Sequence, residues 1–364
     1  MKEVFVIGGG PAGLAAAIAV RKRGFGVSVA DPCEPPIDKT CGEGLLPDAV
    51  EALSRLGVEL PRGVGSAIRG IRFLHESESA EACFPSKPGL GVRRTALHGS
   101  LVAHASACGV SLRWRARVRA TGDGLFLDGQ RVSAGWIIGA DGANSIVRRW
   151  SGLDGHSRPS HRFAFRTHFR VLPWTDFVEV YWGRGIQIYV TPIGEMEVCV
   201  AVVSHESHTR LHDALRDFPA LADRLRGAEP ITTERGGVTG MMKLTRVSRD
   251  NVALVGDASG CVDAVTGEGL GLAFRQAMEL ADAMAAGKLG LYEARHRKLM
   301  QRPFFMGHSL LLLDRHDALR RRVIRVFDAH SEVFRRCVAA HVGALTKSGL
   351  VLTGANLGWR LLGA

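Results

Sequence analysis

The order of apolar and polar positions at the start of the chain predicts a strand, a helix and a second strand. Residues 4–7 form a continuous apolar run, residues 14–22 are rich in alanine, and residues 27–30 are again mostly apolar. The turn after the first run reads Gly-Gly-Gly-Pro-Ala-Gly, which contains the spacing G-x-G-x-x-G. We therefore expect a βαβ unit whose helix follows a glycine turn.

A second pattern predicts a separate sheet. Residues 163–203 alternate apolar with polar side chains, as in a half-buried antiparallel sheet. Two shorter alternating runs, residues 68–74 and 80–84, predict a hairpin that leads into this sheet. The aromatic side chains of Tyr181, Trp182 and Tyr189 either line a substrate pocket or belong to the core of the sheet.

The C-terminal stretch has a helical pattern. Residues 309–327 combine four consecutive leucines with five arginines, which predicts a basic amphipathic helix, and two more helical stretches follow. Such a helix can cap the nucleotide-binding part of the chain, or it can contact a membrane surface or a partner protein. The sequence leaves both interpretations open.

Composition limits the possible classes of protein. A chain of 364 residues with 46% apolar content has room for two domains and a sizeable core. The formal net charge is +11, which indicates a solvated basic surface or attraction of anionic cofactors, carrier-bound substrates or membranes. We expect no nucleic-acid partner, because no recognition motif accompanies the charge.

Cysteine content and the N-terminus indicate the compartment. The seven cysteines are odd in number and form no C-x-x-C pair, so we predict neither a disulfide framework nor a metal site. The chain enters its first strand almost at once, and no apolar run reaches about 18 residues. We therefore expect a cytoplasmic protein without a signal peptide or a membrane span.

The glycines of the first turn have distinct roles in binding a dinucleotide. Gly8 permits the tight turn, Gly10 lets the backbone approach a pyrophosphate, and Gly13 lets helix and strand pack closely. The helix N-terminus then faces the phosphates with its partial positive charge. Asp31 ends the second strand about twenty residues later, where a carboxylate can bind the ribose hydroxyls of adenosine. A turn that binds no nucleotide remains the alternative.

A loop after Asp31 holds two candidate catalytic side chains. Cys41 and Glu43 are flanked by Gly42 and Gly44, which is unusual for ordinary packing. A loop in this position would lie beside the dinucleotide, near its reactive end. The alternatives are that Cys41 is a small buried hydrophobe and that Glu43 is a carboxylate at a helix entrance.

Three further segments point to the same ligand. Arg94 begins a helix with leucines four residues apart, against the dipole preference, so contact with a phosphate or ribityl chain would explain it, and a plain surface arginine is the alternative. Asp141 and Gly256-Asp257 follow buried apolar runs, and ligands of open α/β sheets bind at such strand ends. Glycines near residue 269 would expose backbone N–H groups at the start of another helix.

These motifs together resemble the large flavoprotein family of para-hydroxybenzoate hydroxylase type, which includes flavin-dependent halogenases and geranylgeranyl reductases. The resemblance implies that FAD is the cofactor, that Asp257 binds its ribityl chain and that Arg94 supports its phosphate region. It also implies that Gly269 and Leu270 offer N–H groups to the flavin, although Val265 stands where the family usually has proline. The cofactor-binding residues expected from these motifs are Gly8, Gly10, Pro11, Ala12, Gly13, Asp31, Cys41, Gly42, Arg94, Asp141, Gly256, Asp257, Gly267, Gly269 and Leu270.

The expected architecture is an α/β fold in three parts. A Rossmann-like FAD-binding domain comprises residues 1–66, 91–155 and 245–290. It is interleaved with an antiparallel-sheet substrate domain of residues 67–90 and 156–244, and a helical C-terminal region covers residues 291–364.

The resemblance implies an FAD-dependent oxidoreductase and leaves the reaction open. Our first hypothesis is an NAD(P)H-dependent monooxygenase of a bulky apolar or aromatic biosynthetic intermediate such as a polyketide, with NAD(P)H as a transient reductant. The segments at residues 39–45 and 267–270 look more like the geranylgeranyl reductase branch, in which Cys41 or a nearby acid would help to protonate an isoprenoid double bond. A halogenase is disfavoured because no W-x-W-x-I-P segment is present, and a non-catalytic prenyl-binding protein is disfavoured by the intact FAD motifs.

Overall fold

The computed structural model describes residues 3–155 and 161–363, so the expected domain boundary at residue 156 lies outside the described residues. The strands are β1 (Glu3–Ile7), β2 (Gly26–Ala30), β3 (Gly44–Leu45), β4 (Ser66–Ile68), β5 (Gly70–His75), β6 (Glu78–Cys83), β7 (Gly89–Gly91), β8 (Ser111–Arg113), β9 (Val118–Thr121), β10 (Gly124–Leu127), β11 (Gln130–Arg131), β12 (Trp136–Gly139), β13 (Arg162–Arg170), β14 (Phe177–Trp182), β15 (Ile186–Gly194), β16 (Glu197–Ser204), β17 (Glu229–Pro230), β18 (Arg235–Thr239), β19 (Ser248–Arg249) and β20 (Val252–Leu254). The helices are α1 (Pro11–Arg21), α2 (Pro47–Arg55), α3 (Arg94–Ala107), α4 (Ile146–Trp150), α5 (Leu211–Ala214), α6 (Pro219–Arg224), α7 (Gly269–Ala285), α8 (Leu289–Arg315), α9 (Asp317–Ala329), α10 (Ser331–His341) and α11 (Lys347–Gly363).

A six-stranded sheet is built outward from the first strand. Its order is β19-β20-β12-β1-β2-β8, and β1 pairs in parallel with β2 and β12. Helices α1, α3 and α7 bury their apolar sides against this sheet. The carboxyl ends of β1, β12 and β20 therefore lie at one edge, and each leads into one of the glycine or aspartate motifs. The α/β FAD-binding architecture that the sequence indicated is confirmed.

The second sheet is mostly antiparallel. The order of its strands is β17-β13-β16-β15-β14-β5-β6, and β18 also pairs with β13. The sequence predicted a half-buried sheet, but β16 and β14 are buried on both sides. The reason is that α5 and α6 cover one face, whereas α9 and α10 pack against the other. The hairpin of β5 and β6 forms as predicted.

The predicted basic helix over residues 309–327 is interrupted. Helix α8 ends at Arg315 and α9 begins at Asp317, because His316 adopts an extended backbone with φ −120° and ψ 93°. The carboxylate of Asp317 binds Arg320 and Arg321 in the first turn of α9. The apolar side of α9 then packs on β6, so α9 caps the second sheet, while α8 packs on α7. No helix in the described part of the chain is long and apolar enough to cross a membrane.

A buried ion cluster joins three parts of the molecule. Arg162 of β13 binds Asp263 in the loop before α7, with Nε 3.2 Å from Oδ2, and its Nη1 lies 3.4 Å from Oδ2 of Asp314 on α8. All three side chains are at most 1% exposed. Trp182 and Gln187 donate further hydrogen bonds to Asp314. Because the cluster is shielded from water, the cost of burying each charge is offset by the opposite charges beside it.

Removal of the shared cation tests this connection. In Arg162→Ala, the buried carboxylates of Asp263 and Asp314 lose the guanidinium that they share. We therefore expect the free energy of unfolding to fall by about 3–5 kcal/mol. The control is Arg170→Ala on the same strand, whose ion pair with Glu229 is 63% exposed on both sides and should contribute less than about 1 kcal/mol. Urea unfolding of both variants measures the difference. Equal losses in the two variants would contradict the role given to Arg162.

Candidate active site

The first glycine turn is shaped by close backbone contacts. A Cβ atom at Gly8, where φ is +110°, would lie 2.4 Å from the carbonyl oxygen of Ala140, and one at Gly13 would lie 1.8 Å from the carbonyl oxygen of Gly8. A Cβ atom at Gly10 would meet nothing within 4 Å, and Gly10 lines a large cavity. Gly8 and Gly13 are therefore needed for folding, whereas Gly10 leaves space for a ligand.

Asp31 and His98 hold this turn from two sides. Asp31 Oδ2 accepts a hydrogen bond from the N–H of Gly9 at 2.7 Å. The buried His98 bonds the carbonyl oxygen of Gly9 through Nε2 at 2.8 Å, and its Nδ1 accepts from the N–H of Ile37 at 3.3 Å. Burial lowers the pKa of His98, in agreement with this neutral tautomer. Sequence reasoning missed His98, which looks like an ordinary position on a leucine-rich helix.

Asp257 follows β20 and faces the cavity, where the surrounding walls raise the pKa of its carboxyl group. The positive charges of Arg94 and Lys39 oppose this increase, and both residues line the same cavity. Arg94 is only partly exposed, and its Nε is a buried N–H group without a hydrogen-bond partner in the described structure. A buried guanidinium N–H without a partner is the type of group that an anionic cofactor would satisfy.

The Gly256 turn is braced by side chains that the sequence did not single out. Gly256 has φ +60°, and its N–H donates to Oε1 of Gln276 at 2.8 Å. The amide nitrogen of Gln276 donates in turn to Nε2 of His296 at 3.2 Å. Burial lowers the pKa of His296 to about 4, so its ring is neutral and can accept this hydrogen bond near neutral pH. Helices α7 and α8 thus fix the turn that carries Asp257.

Asp141 has a different position from the one expected for a cofactor ligand. Its Oδ1 accepts from the hydroxyl of Ser145 at 2.5 Å, and its Oδ2 accepts from the N–H of Ile146 at 2.7 Å. These bonds satisfy the start of α4. Both carboxylate oxygens of Asp141 are therefore used to hold the loop before α4, and the neighbouring Ala140 and Gly142 line the cavity.

The loop of Cys41, Gly42 and Glu43 also reaches the cavity. Glu43 has φ +58°, an uncommon conformation for a residue other than glycine, and its side chain is almost fully buried. Its Oε1 accepts from the N–H of Arg94 at 2.9 Å, and its Oε2 lies 2.6 Å from Nε2 of His168. The turned backbone brings the N–H of Glu43 to 3.3 Å from Sγ of Cys41.

His168 orients Glu43 from the second sheet. Nη1 of Arg93 lies 2.9 Å from Nδ1 of His168, and Nη1 of Arg166 lies 3.0 Å from the same atom. Because both arginines are donors, Nδ1 is the acceptor, and the proton on Nε2 is donated to Glu43. No sequence pattern pointed to this contact, because Glu43 and His168 are distant along the chain.

Glu43, His168 and Cys199 have potential ligand atoms within 4.8 Å of one another. Their hydrogen bonds nevertheless leave the ring nitrogens of His168 occupied. Burial and the Glu43 carboxylate raise the pKa of the Cys199 thiol, which keeps its proton on sulfur. In this structure a hydrogen bond joins Glu43 to His168 within the cluster.

The loop before α7 completes the cavity wall. Gly267 has φ +65°, and Gly267, Gly269 and Leu270 all line the cavity. No side chain caps the N-terminus of α7, so this helix end can interact with an anionic group. Val265, where the related family usually has proline, donates its N–H to Asp263 Oδ1 at 3.0 Å. A proline could not make this bond.

Of the three aromatic residues expected in a substrate pocket, one lines the cavity. Tyr189 does so, but Tyr181 packs on the opposite face of the sheet and donates to Glu179. Trp182 is covered by Phe73 and donates to Asp314. The expectation for Tyr181 and Trp182 is thus corrected: β14 and β15 pair so that Tyr189 lies opposite Val180, which places Tyr181 on the other face.

The cavity joins these elements and has a volume of about 1060 Å³. Binding sites for small molecules and cofactors usually occupy about 300–1,000 Å³, so this cavity is at the upper end of the range. One part is lined by the glycine turns and Asp257, and the other is apolar. Representative apolar lining residues are Ile71, Phe73 and Val180 of the second sheet and Leu313, Val323 and Phe334 of the C-terminal helices.

Strand ends with glycine turns that line a shared cavity define a dinucleotide-binding α/β protein. Residues 1–294 match the family described as FAD binding domain, and the chain belongs to this family. Its membership of the flavoprotein family indicated by the sequence motifs is thereby confirmed, and the chain is an FAD-dependent oxidoreductase.

Two curated relatives and one solved structure illustrate this similarity. Menaquinone reductase of Mycolicibacterium smegmatis is 29% identical over 336 residues, with 85% of this chain and 82% of the relative covered. Digeranylgeranylglycerophospholipid reductase 1 of Methanothermobacter thermautotrophicus is 26% identical over 323 residues, with 82% and 80% covered. A flavoprotein/dehydrogenase from Cytophaga hutchinsonii has the same fold, with a TM-score of 0.81, 20% identity and coverage of 100% and 99%.

The residues of the cavity fit FAD. Besides the unsatisfied N–H of Arg94, four glycines have no atom within 4 Å of the place that a Cβ would take, which leaves a cradle on the cavity side; they are Gly10, Gly42, Gly267 and Gly269. The glycine turn and the N-terminus of α1 would hold the pyrophosphate. Asp257 and the N-terminus of α7 would bind the part nearer the flavin.

A methyl group at Gly10 should remove the cofactor without disturbing the fold. Gly10→Ala places a Cβ in open space, and we expect FAD affinity to fall at least about tenfold. Gly99→Ala is the control, because a Cβ at this exposed position on α3 also meets nothing. Flavin retained after purification and the FAD dissociation constant measure the effect. Normal FAD affinity in Gly10→Ala would contradict this placement of the pyrophosphate.

Glu43→Gln tests the hydrogen bonds around the loop. The amide can still accept from Arg94, but its NH₂ group then faces the N–H of His168, and a donor facing a donor costs about 1–3 kcal/mol. We expect that loss of stability in thermal and urea unfolding. Glu51→Gln, on the exposed side of α2, is the control and should be neutral. A neutral Glu43→Gln would show that His168 does not donate to Glu43.

Proposed function

We propose that this protein is an FAD-dependent reductase that saturates carbon–carbon double bonds in the isoprenoid chain of a lipid. The observation that carries the proposal is the apolar part of the cavity, which continues from the Cys41 loop between the second sheet and the C-terminal helices. An extended apolar passage suits a long hydrocarbon chain better than a compact aromatic ring.

The relatives support the same class of substrate. The two proteins described above are named for menaquinone and for a digeranylgeranyl phospholipid. The segment at residues 39–45 also resembles the geranylgeranyl reductase branch. These similarities agree with the shape of the cavity, although each relative is less than a third identical to this chain.

The residues of the loop can supply the proton that such a reduction requires. When bound, reduced FAD would supply a hydride to one carbon of the double bond. The Cys41 thiol gives its proton to the other carbon, which leaves a thiolate at Sγ. The N–H of Glu43, 3.3 Å from Sγ, stabilises that thiolate until solvent returns a proton. The apolar walls exclude competing water from the chain.

An NAD(P)H-dependent monooxygenase of a bulky apolar or aromatic intermediate is the second candidate. It is favoured by Tyr189, whose ring lies in the cavity wall beside the apolar lining and could pack against an aromatic substrate. In either reaction we propose NAD(P)H as the transient reductant. The reductase is preferred because the apolar lining runs from Ile71 and Phe73 of the second sheet to Leu350 and Leu361 of α11.

An oxygen-dependence experiment separates the two reactions. Dithionite-reduced enzyme is mixed with menaquinone or a geranylgeranyl lipid, anaerobically and in air, and the product is analysed by mass spectrometry. A product whose isoprenoid chain carries two added hydrogens after the quinone ring has been reoxidised, and which forms without oxygen, supports the reductase. A product with one added oxygen atom, formed only in air, refutes it and supports the monooxygenase.

Cys41→Ser tests the proton donor. If Cys41 protonates the substrate, we expect kcat to fall by about 10²-fold or more, with a smaller change in KM, because a hydroxyl is a far weaker acid. Cys337→Ser is the matched control, since this thiol lines the same cavity at its helical end and should leave kcat within about threefold. Similar kcat values in the two variants would remove Cys41 from the mechanism.

A further inference from the structure

The cavity opens at a rim of exposed apolar side chains. Phe305 is 70% exposed and Val351 is 72% exposed, and both also line the cavity. The same holds for Val238, Leu312 and Leu350. We call these five residues the mouth. Since they are at once exposed and part of the lining, the apolar passage reaches the surface between β18, α8 and α11.

Helix α11 continues the apolar surface away from the mouth. Its inner side includes Thr353 and Leu357, which line the cavity. Its outer side carries Leu352, Trp359 and Leu362, which are 61%, 79% and 83% exposed. A contiguous apolar surface of this kind, on a helix that is apolar on both sides, marks an interaction site rather than an ordinary solvated face.

The charged residues of helix α11 are both positive. Helix α11 contains no aspartate or glutamate, and its two charged residues are Lys347 and Arg360. Trp359 and Arg360 share a surface pocket with Arg325, which is 62% exposed and lies 3.1 Å from Glu78. An exposed tryptophan between basic side chains is typical of a helix that lies in a membrane interface.

We propose that the mouth and the outer side of α11 rest on the surface of an anionic lipid bilayer, so that the apolar passage opens directly into the lipid. Lipid tails match the exposed leucines and Val351, and anionic headgroups match Lys347 and Arg360. A second copy of the chain fits less well, because pairing this face with itself brings like charges together. The proposal does not depend on which reaction the flavin performs.

This location differs from the one that the sequence suggested. A membrane contact was one of two interpretations of the basic stretch at residues 309–327, with a cap as the other, but the apolar side of α9 is buried against β6. The exposed apolar side chains of the mouth and of the surface beside it belong to β18, α8 and α11. Of the arginines on α9, Arg325 borders this surface in the pocket that it shares with Trp359 and Arg360, and it is paired with Glu78.

Vesicle flotation of the FAD-loaded protein tests the proposal. Vesicles of phosphatidylcholine alone are compared with vesicles that also contain phosphatidylglycerol, at low and high salt. We expect flotation with the anionic vesicles, weakened by salt, and about a tenfold lower partition coefficient for the double variant Val351→Ser/Trp359→Ser. Leu172→Ser, at a similarly exposed position (65%) in the loop after β13 that does not line the cavity, should float like the unaltered protein.

Two results would overturn the proposal. The first is equal flotation of the double variant and the unaltered protein while both retain FAD. The second is that the protein does not float with vesicles and instead forms a dimer, seen by light scattering, which the double variant does not form. In that case this face would bind another copy of the chain. Retained FAD in each variant shows that the fold is intact, since the altered residues lie far from the glycine turns.

Discussion

The buried guanidinium of Arg162 is the constraint on which the arrangement of the site depends. It binds Asp263 in the loop before α7 and Asp314 on α8, while its own backbone belongs to β13 of the second sheet. Each partner would be costly to bury alone. The cluster therefore fixes the positions of three elements relative to one another. They are the loop before α7, the second sheet and helix α8.

Glu43 makes a second connection between the cofactor-binding part of the chain and the second sheet. It links the start of α3, through the N–H of Arg94, to His168 on β13. The cavity lies between these two connections, with glycine turns on one side and hydrocarbon side chains on the other. A cofactor with charged phosphates and a water-insoluble substrate can thus share one space, because each meets walls of its own polarity.

Local patterns predicted the cofactor end of the site and much of the fold. The spacing of Gly8, Gly10 and Gly13 and the acids after buried strands indicate their positions, since parallel strands bring their carboxyl ends to one edge. Contacts between distant residues had no such signal: His168 meets Glu43 125 positions away. The alternation of apolar and polar residues also does not show which face of a sheet borders a cavity. For this reason the sequence could not separate Tyr189, which lines the cavity, from Tyr181, which does not.

The neutral ring of His98 makes the dinucleotide turn sensitive to acid. Burial lowers its pKa, and the charge of Arg94 opposes protonation further, while Asp31 and the carbonyl of Gly9 favour it. The stabilising contribution is therefore complete above the ordinary histidine pKa of about 6.5 and decreases as the pH falls below it. A proton on Nδ1 would face the N–H of Ile37 and push the ring away from Gly9. Acidification would therefore weaken the hydrogen bonds by which His98 holds the Gly9 turn in place.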